Sequence, residues 1–389
     1  MPAVYMERKH CRFYAWLAAS AVGLVFSGSI FAQEAATRDA WPMFRGNPGL
    51  TGISPATLPD KPSLAWTYKT AGAVESSAAI AGGKVYVGSD DKNLHCIDLK
   101  SGKKLWTFPS EAEVKSSPLI LDGLVYFGSG DGGLYAVDAS SGKQAWKYKT
   151  DDKILGGPNW VASPDGKSKW ILAGSYDFKL YCLDAKSGKT NWTFETGNYI
   201  NGTPAVAEGK TVFGGCDALL HIVSLKDGQK IKEVEAGAYI AGSGALEKNR
   251  FYIGHYDNEF LCADLEAGNI VWRYKDRAFP YFSSPALTAD RVIFGGRDKK
   301  LHCVMKDSGE EVWSFSTQGK VDSSPVVYGD RVVVGSDDGR LYILALADGK
   351  NIWKYEIGQA IAASPALADG MLVIGSQDGN VYAFGGGKK

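Results

Sequence analysis

Histidine, cysteine and the carboxylates are the side chains best suited to acid–base, nucleophilic or metal chemistry, so their spacing is the first question put to this chain. It has five histidines, six cysteines and 43 acidic residues. No G-x-S-x-G elbow, H-E-x-x-H pair or G-x-x-x-x-G-K-[ST] phosphate loop occurs. His255 and Asp257 stand two residues apart in GHYD with no nucleophile beside them, as a solvated turn would place them. No two cysteines are adjacent and none form a C-x-x-C pair. Cys96, Cys182, Cys262 and Cys303 recur at one position of a repeat, and Cys216 is left over in a loop. Packed sheets lie about 10 Å apart, whereas a disulfide needs Cα atoms within about 7 Å. These cysteines are therefore read as small buried apolar residues. His95, His221 and His302 stand where other repeats have Tyr135, Tyr181, Tyr342 and Tyr382, which marks a packing slot with a polar tip. No metal site is expected.

The elements that position these residues come from a single recurring unit. Residues 123–148, GLVYFGSGDGGLYAVDASSGKQAWKY, hold three short apolar runs separated by GDGG and SSGK. Each run is rich in β-branched and aromatic residues and too short for a helix. With SSPLIL in front, the unit is a four-stranded antiparallel meander. Trp66, Trp106, Trp146, Trp192, Lys232, Trp272, Trp313 and Trp353 anchor its copies at spacings of 40, 40, 46, 40, 40, 41 and 40 residues. A turn carboxylate recurs in every copy, at Asp91, Asp131, Asp177, Asp217, Asp257, Asp298, Asp338 and Asp378. A group present in every copy serves the turn rather than one catalytic event. A period near forty with four strands predicts an all-β fold, an eight-bladed β-propeller. LAWTYK at 64–69 lacks three preceding strands and 364–384 lacks a fourth, so the two ends are expected to complete one blade and close the ring.

Around this core, residues 1–32 read as a secretory signal, basic at Arg8, Lys9 and Arg12 and apolar over 13–32. Cleavage after Ala32 is expected, with retention as an anchor the alternative; no transmembrane segment follows cleavage. No cysteine follows the apolar run to carry a lipid. Residues 33–63 are a Pro/Gly-rich lead-in, expected to rest on the propeller surface through Trp41 and Phe44, and 64–385 form the propeller. The 43 basic residues cancel the acidic ones, so bulk charge gives no reason to expect nucleic acid.

AVDASSGKQAW (136–146), CLDAKSGKTNW (182–192) and CIDLKSGKKLW (96–106) resemble the tryptophan-docking motif A-x-D-x-x-T-G-x-x-x-W of eight-bladed propellers of the pyrroloquinoline quinone (PQQ) repeat superfamily. The resemblance covers residues 64–384. It implies that Trp66, Trp106, Trp146, Trp192, Trp272, Trp313 and Trp353 are structural wedges between blades. Lys232 in the fourth copy and Met305 in the sixth depart from the motif, and weaker docking is expected there. A non-catalytic branch is similar to the outer-membrane β-barrel assembly factor BamB; the enzymatic branch holds PQQ beside calcium.

Function is then expected where the copies differ. Strand alternation puts the loops into first strands and the second-to-third turns on one rim. In copies three to six this rim gathers Tyr176, Phe178, Tyr199 and Tyr239, followed by His255, Tyr256, Phe279, Tyr281, Phe282 and Arg297. Loop aromatics with an arginine make a recognition patch, or else fold inward and fill the channel. Glu75, Lys115, Asn201 and Asp322 mark the channel mouth. The preferred reading is an exported, non-catalytic scaffold of the periplasm or cell envelope that binds a protein or peptide and needs no cofactor. The alternatives are a PQQ- and calcium-dependent alcohol or sugar dehydrogenase, with Glu75 and Asp322 toward the cation, and a carbohydrate-binding propeller.

Overall fold

The repeating short runs and turn residues fold as their types dictate. The computed structural model describes residues 40–386, and its strands form eight antiparallel sheets in chain order. Blade two is Leu119–Leu121, Leu124–Gly128, Gly133–Asp138 and Gln144–Lys149. In blade eight, Ser63–Lys69 pairs with Asn380–Gly385, Trp66 facing Ala383. One sheet therefore holds both ends of the ring. In each blade the second strand is buried almost throughout, as in Leu124–Gly128, because neighbouring blades cover both of its faces. The outermost strand alternates between packed and solvated positions, as in Glu311–Ser316.

Close approach between blades explains two glycine positions. A Cβ on Gly88 would lie 2.2 Å from the Val114 carbonyl oxygen of the next blade, and one on Gly188 would lie 2.8 Å from the Trp146 indole while also straining a φ of +69°. Trp146 donates its indole N–H to the Ala185 carbonyl at 2.9 Å. Trp66, Trp106, Trp192, Trp272 and Trp313 repeat this contact on Gly102, Gly142, Gly228, Gly309 and Gly349. A bulge just before each anchor turns the side chain toward its neighbour, as between Cys182 and Leu183 opposite Trp192. Trp353 lies against the next blade without a receiving glycine. The blade it faces is closed by two chain ends, with no hairpin glycine to receive it, and it packs on Phe384 at 5.6 Å instead. Lys232 lies over Gly268 and donates to the Glu266 carbonyl at 2.5 Å. Lys232→Trp should restore the wedge and raise stability by about 1 kcal/mol in denaturant unfolding; no gain would mean that this turn does not accept an indole.

Seven of the eight turn carboxylates accept a turn amide and take the structural role read from their recurrence; the exposed Asp257 carboxylate accepts no hydrogen bond among the described residues. Asp378 accepts from the Asn380 amide at 2.9 Å and from the Tyr382 hydroxyl at 2.5 Å. Burial pushes its pKa up, but the Tyr382 and Asn380 bonds outweigh burial and hold it below the usual carboxylate range. The stabilisation is complete above the unfolded value of about 3.9 and is lost as pH falls through the lower folded value. Tyr382→Phe should therefore destabilise the protein at neutral pH, with the difference shrinking as acid protonates Asp378. A difference constant down to pH ~2 would contradict this assignment. Cys96, Cys182, Cys216, Cys262 and Cys303 are free thiols, and burial pushes those of Cys96, Cys182 and Cys303 up to about 12.

The lead-in does not rest on the outer surface; it threads the central channel. Each innermost strand has an unpaired edge, and the lead-in supplies the missing acceptors in blade order. Ile80 donates to the Trp41 carbonyl, Ile120 to Pro42, Val206 to Pro48, Leu246 to Gly49, Leu287 to Thr51 and Val327 to Gly52, all at 2.8–3.0 Å. In blade three the Asn159 side chain donates to Pro48, and in blade eight the Leu367 carbonyl accepts from Ser54. Ile53–Ser54 adds a short parallel strand to blade seven. Trp41 is buried as expected, whereas Phe44 is only partly so and faces the channel.

Candidate functional site: an aromatic rim over a blind funnel

One hydrogen bond, repeated in all eight blades, builds the rim. The second-to-third turn donates a backbone N–H to the loop that leads into a first strand: Asp90 to Ala73, Gly130 to Glu113, Tyr176 to Lys153, Cys216 to Tyr199, Tyr256 to Tyr239, Arg297 to Pro280, Asp337 to Lys320 and Gln377 to Ala360. Both loop sets therefore lie on one face, and their side chains meet there.

On blades three to six these side chains are aromatic and outward. Tyr176 stacks on Tyr199 at 4.8 Å, Phe178 meets Tyr199 edge-on at 5.1 Å, and Lys153 lies over the Tyr176 ring at 4.4 Å. Tyr256 packs on Phe282 at 4.5 Å, and the Arg297 guanidinium caps Phe282 at 4.1 Å. Tyr239 is 57% exposed and Tyr256 49%, with Phe178, Tyr199 and Phe279 also exposed. These rings are therefore not the channel filling; the lead-in stops the channel from below.

Two residues read as part of the rim lie beneath it. Tyr281 and His255 are only 0% and 1% exposed. Tyr281 occupies the slot that Val74, Val114, Ile154, Ile200, Ile240, Val321 and Ile361 fill in the other blades, all of them buried. His255 occupies the slot of Ser89, Ser129 and Ser175, and its Nδ1 accepts the Asp257 N–H at 3.1 Å as the Ser89 hydroxyl accepts that of Asp91.

The other half of the rim is charged. Lys115 pairs with Glu75 at 2.8 Å and approaches Asp90 at 3.7 Å. Arg297 grips Asp322 through two bonds of 3.0 and 2.9 Å, and Lys320 reaches Asp322 and Asp337. Burial holds Asp90 and Asp337 above the usual carboxylate range. Inside the mouth, Glu75, Asn201, Phe282 and Asp322 line a funnel of about 190 Å³ with Phe44 at its floor. Around its waist runs a belt of Ser77, Ser117, Thr203, Ser243, Ser284, Ser324 and Ser364, with Gly157 in blade three. Several of these hydroxyls accept the N–H of the preceding blade's counterpart, as in Ser77 to Ser117 at 3.1 Å and Ser364 to Ser77 at 2.9 Å.

These residues do not fit a calcium-bound quinone. Glu75 and Asp322 sit on blades one and seven, and each is already neutralised by a lysine or arginine. Among the described residues, Asp276, Asp298 and His302 converge closely enough to hold a metal. There, however, the Lys300 ammonium lies 2.6 Å from Asp276, and His302 is spent on Asp298 at 3.0 Å. His95 on Asp91 and His221 on Asp217 repeat that pairing, which makes it a turn lock. Among the described residues, no helix is long and apolar enough to cross a membrane.

The family defined by the outer membrane protein assembly factor BamB matches residues 56–165, 158–237 and 297–387. The chain belongs to this family. Residues 238–296, between the matched segments, carry Tyr239, Tyr256, Phe279 and Phe282. No curated protein matches the sequence. Among solved structures, BamB from Moraxella catarrhalis is similar at 19% identity and a TM-score of 0.68, covering 83% of this chain and 99% of that one. The quinohemoprotein alcohol dehydrogenase from Comamonas testosteroni is similar at 15% identity and a TM-score of 0.79, covering 92% and 82%. A europium-containing methanol dehydrogenase is similar at 14% identity and a TM-score of 0.74, covering 90% and 98%. At these identities the likeness is one of fold.

Proposed function

We propose that this protein is a non-catalytic scaffold of the cell envelope, exported by its N-terminal segment, whose rim binds a protein or peptide partner. Residues 1–32, on which export rests, lie outside the described residues. The observation that carries the reading is the exposed aromatic row on blades three to six, braced by Lys153 and Arg297. Exposed aromatics held rigid by neighbours bind at low entropic cost. Membership of the BamB family agrees with a protein partner and an envelope location.

The likeness to quinoprotein dehydrogenases keeps a second reading open to direct test, with PQQ and calcium as its cofactors. The ion pairs of Glu75 and Asp322 weigh against it. Capture from envelope extract should return a partner with the native protein and lose it with Tyr239→Ala/Tyr256→Ala. A partner retained by the double variant would refute the rim. Dye reduction with alcohols or aldoses after loading with PQQ and calcium would instead support the dehydrogenase, and glycan binding at Tyr176, Tyr199 or Tyr256 a carbohydrate reader.

A further inference from the structure

The funnel beneath the rim holds chemistry that docking at the rim leaves unused. A serine hydroxyl has one proton to donate. Ser324 accepts the Ser284 N–H at 3.0 Å and Ser364 accepts the Ser324 N–H at 3.0 Å. Each bond takes up one lone pair, and neither hydroxyl proton finds an acceptor among the described residues. The Ser284 hydroxyl makes no hydrogen bond at all among them, although the residue is 3% exposed and lines the funnel. The belt on this side is thus a set of O–H donors facing the lumen.

Directly behind it lies a cation without a counter-charge. Arg45 is 1% exposed. Its guanidinium donates to the carbonyls of Ser324 at 3.1 Å, Pro285 at 2.9 Å and Pro325 at 2.5 Å. No carboxylate pairs with it among the described residues, and its Nε has no partner. Burial lowers its pKa to about 9, which still leaves it protonated at neutral pH. The lining carboxylate on this side, Asp322, is already held by Arg297 and Lys320. A buried charge without a partner is costly, and an anion relieves that cost. A ligand that only donates hydrogen bonds would leave those hydroxyl protons and the Arg45 charge unanswered.

We propose that the funnel binds a small oxyanion, of carboxylate or phosphate size, against blades six to eight, with Ser284, Ser324 and Ser364 donating to it and Arg45 balancing its charge from behind. A cavity of about 190 Å³ holds such an ion with several waters, each needing about 30 Å³. Phe282 borders both, but neither the three hydroxyls nor Arg45 belongs to the aromatic row, so failure of either assignment leaves the other standing.

Calorimetric titration of the full chain with inorganic phosphate, and separately with acetate, in buffer free of other small anions tests this. Saturable binding of either is expected, and the preferred probe identifies the oxyanion class. Crystals soaked in selenate should show an anomalous peak within hydrogen-bond reach of the Ser284 and Ser324 hydroxyls. Ser284→Ala removes a hydroxyl that no described residue uses, so the variant should fold and bind at least about tenfold more weakly, the loss of one hydrogen bond to a charged group. Arg45→Gln should abolish binding; if it does not fold, Ser284→Ala decides alone. No saturable heat with either probe, a selenate peak elsewhere only, or unchanged affinity in Ser284→Ala would overturn the proposal.

Discussion

Trp41→Ala is expected to lower the unfolding free energy by about 3–5 kcal/mol, the usual cost of deleting a fully buried indole. Trp41 is 2% exposed, and its ring packs so tightly on the lead-in's own turn that a Cβ on Gly46 would lie 2.7 Å away. Its backbone exchanges two hydrogen bonds with Ile80, at 2.9 and 2.8 Å. The side chain belongs to the cluster that joins blade eight to blades seven and one, where the ring is closed by separate chain ends. Loss of this one residue should therefore loosen the seam as well as leave a cavity. Guanidinium unfolding of wild type and variant checks the value. A change below about 1 kcal/mol, typical of a surface substitution, would mean that the ring holds without its thread.

The second large effect is expected at the rim. With the partner isolated, Tyr239→Ala/Tyr256→Ala should weaken its affinity by at least about 30-fold, equivalent to one hot-spot aromatic of about 2 kcal/mol. Both side chains are about half exposed, so fold stability should barely change. Lys167→Ala, in the loop that interrupts the regular spacing of blade three, serves as the control and should bind normally. Equal affinities for the double variant and the wild type would place the partner elsewhere.

How far the sequence discloses this molecule depends on what repeats. The anchors at Trp66 to Trp353 and the turn carboxylates recur near forty residues, and the eight closed sheets follow from them. The burial of Tyr281 and His255 was legible by the same means. Placed beside Val74 or Ser89, each falls in a slot that no blade exposes, but aromatic and titratable character drew the reading to the surface. The lead-in was not legible. It reaches every blade, mostly through carbonyl oxygens, and a carbonyl carries no residue type. Arg45 was passed over for a related reason, since its partners are the carbonyls of Pro285, Ser324 and Pro325, not an acid that a charge pattern would reveal. Trp353 still packs between blades, on Phe384, but without the hairpin glycine of the other anchors, because that turn is missing where two termini meet.

The threaded lead-in has a consequence for biogenesis. During synthesis it leaves the ribosome before any blade, yet its hydrogen-bond partners are spread over all eight and come together only when the last strands have paired with Ser63–Lys69. The earliest stretch made is therefore the last to find its place, and its docking reports that the wheel is whole. A chain halted before its final sheet would display Trp41, Met43 and Leu50 to whatever quality control surveys the compartment.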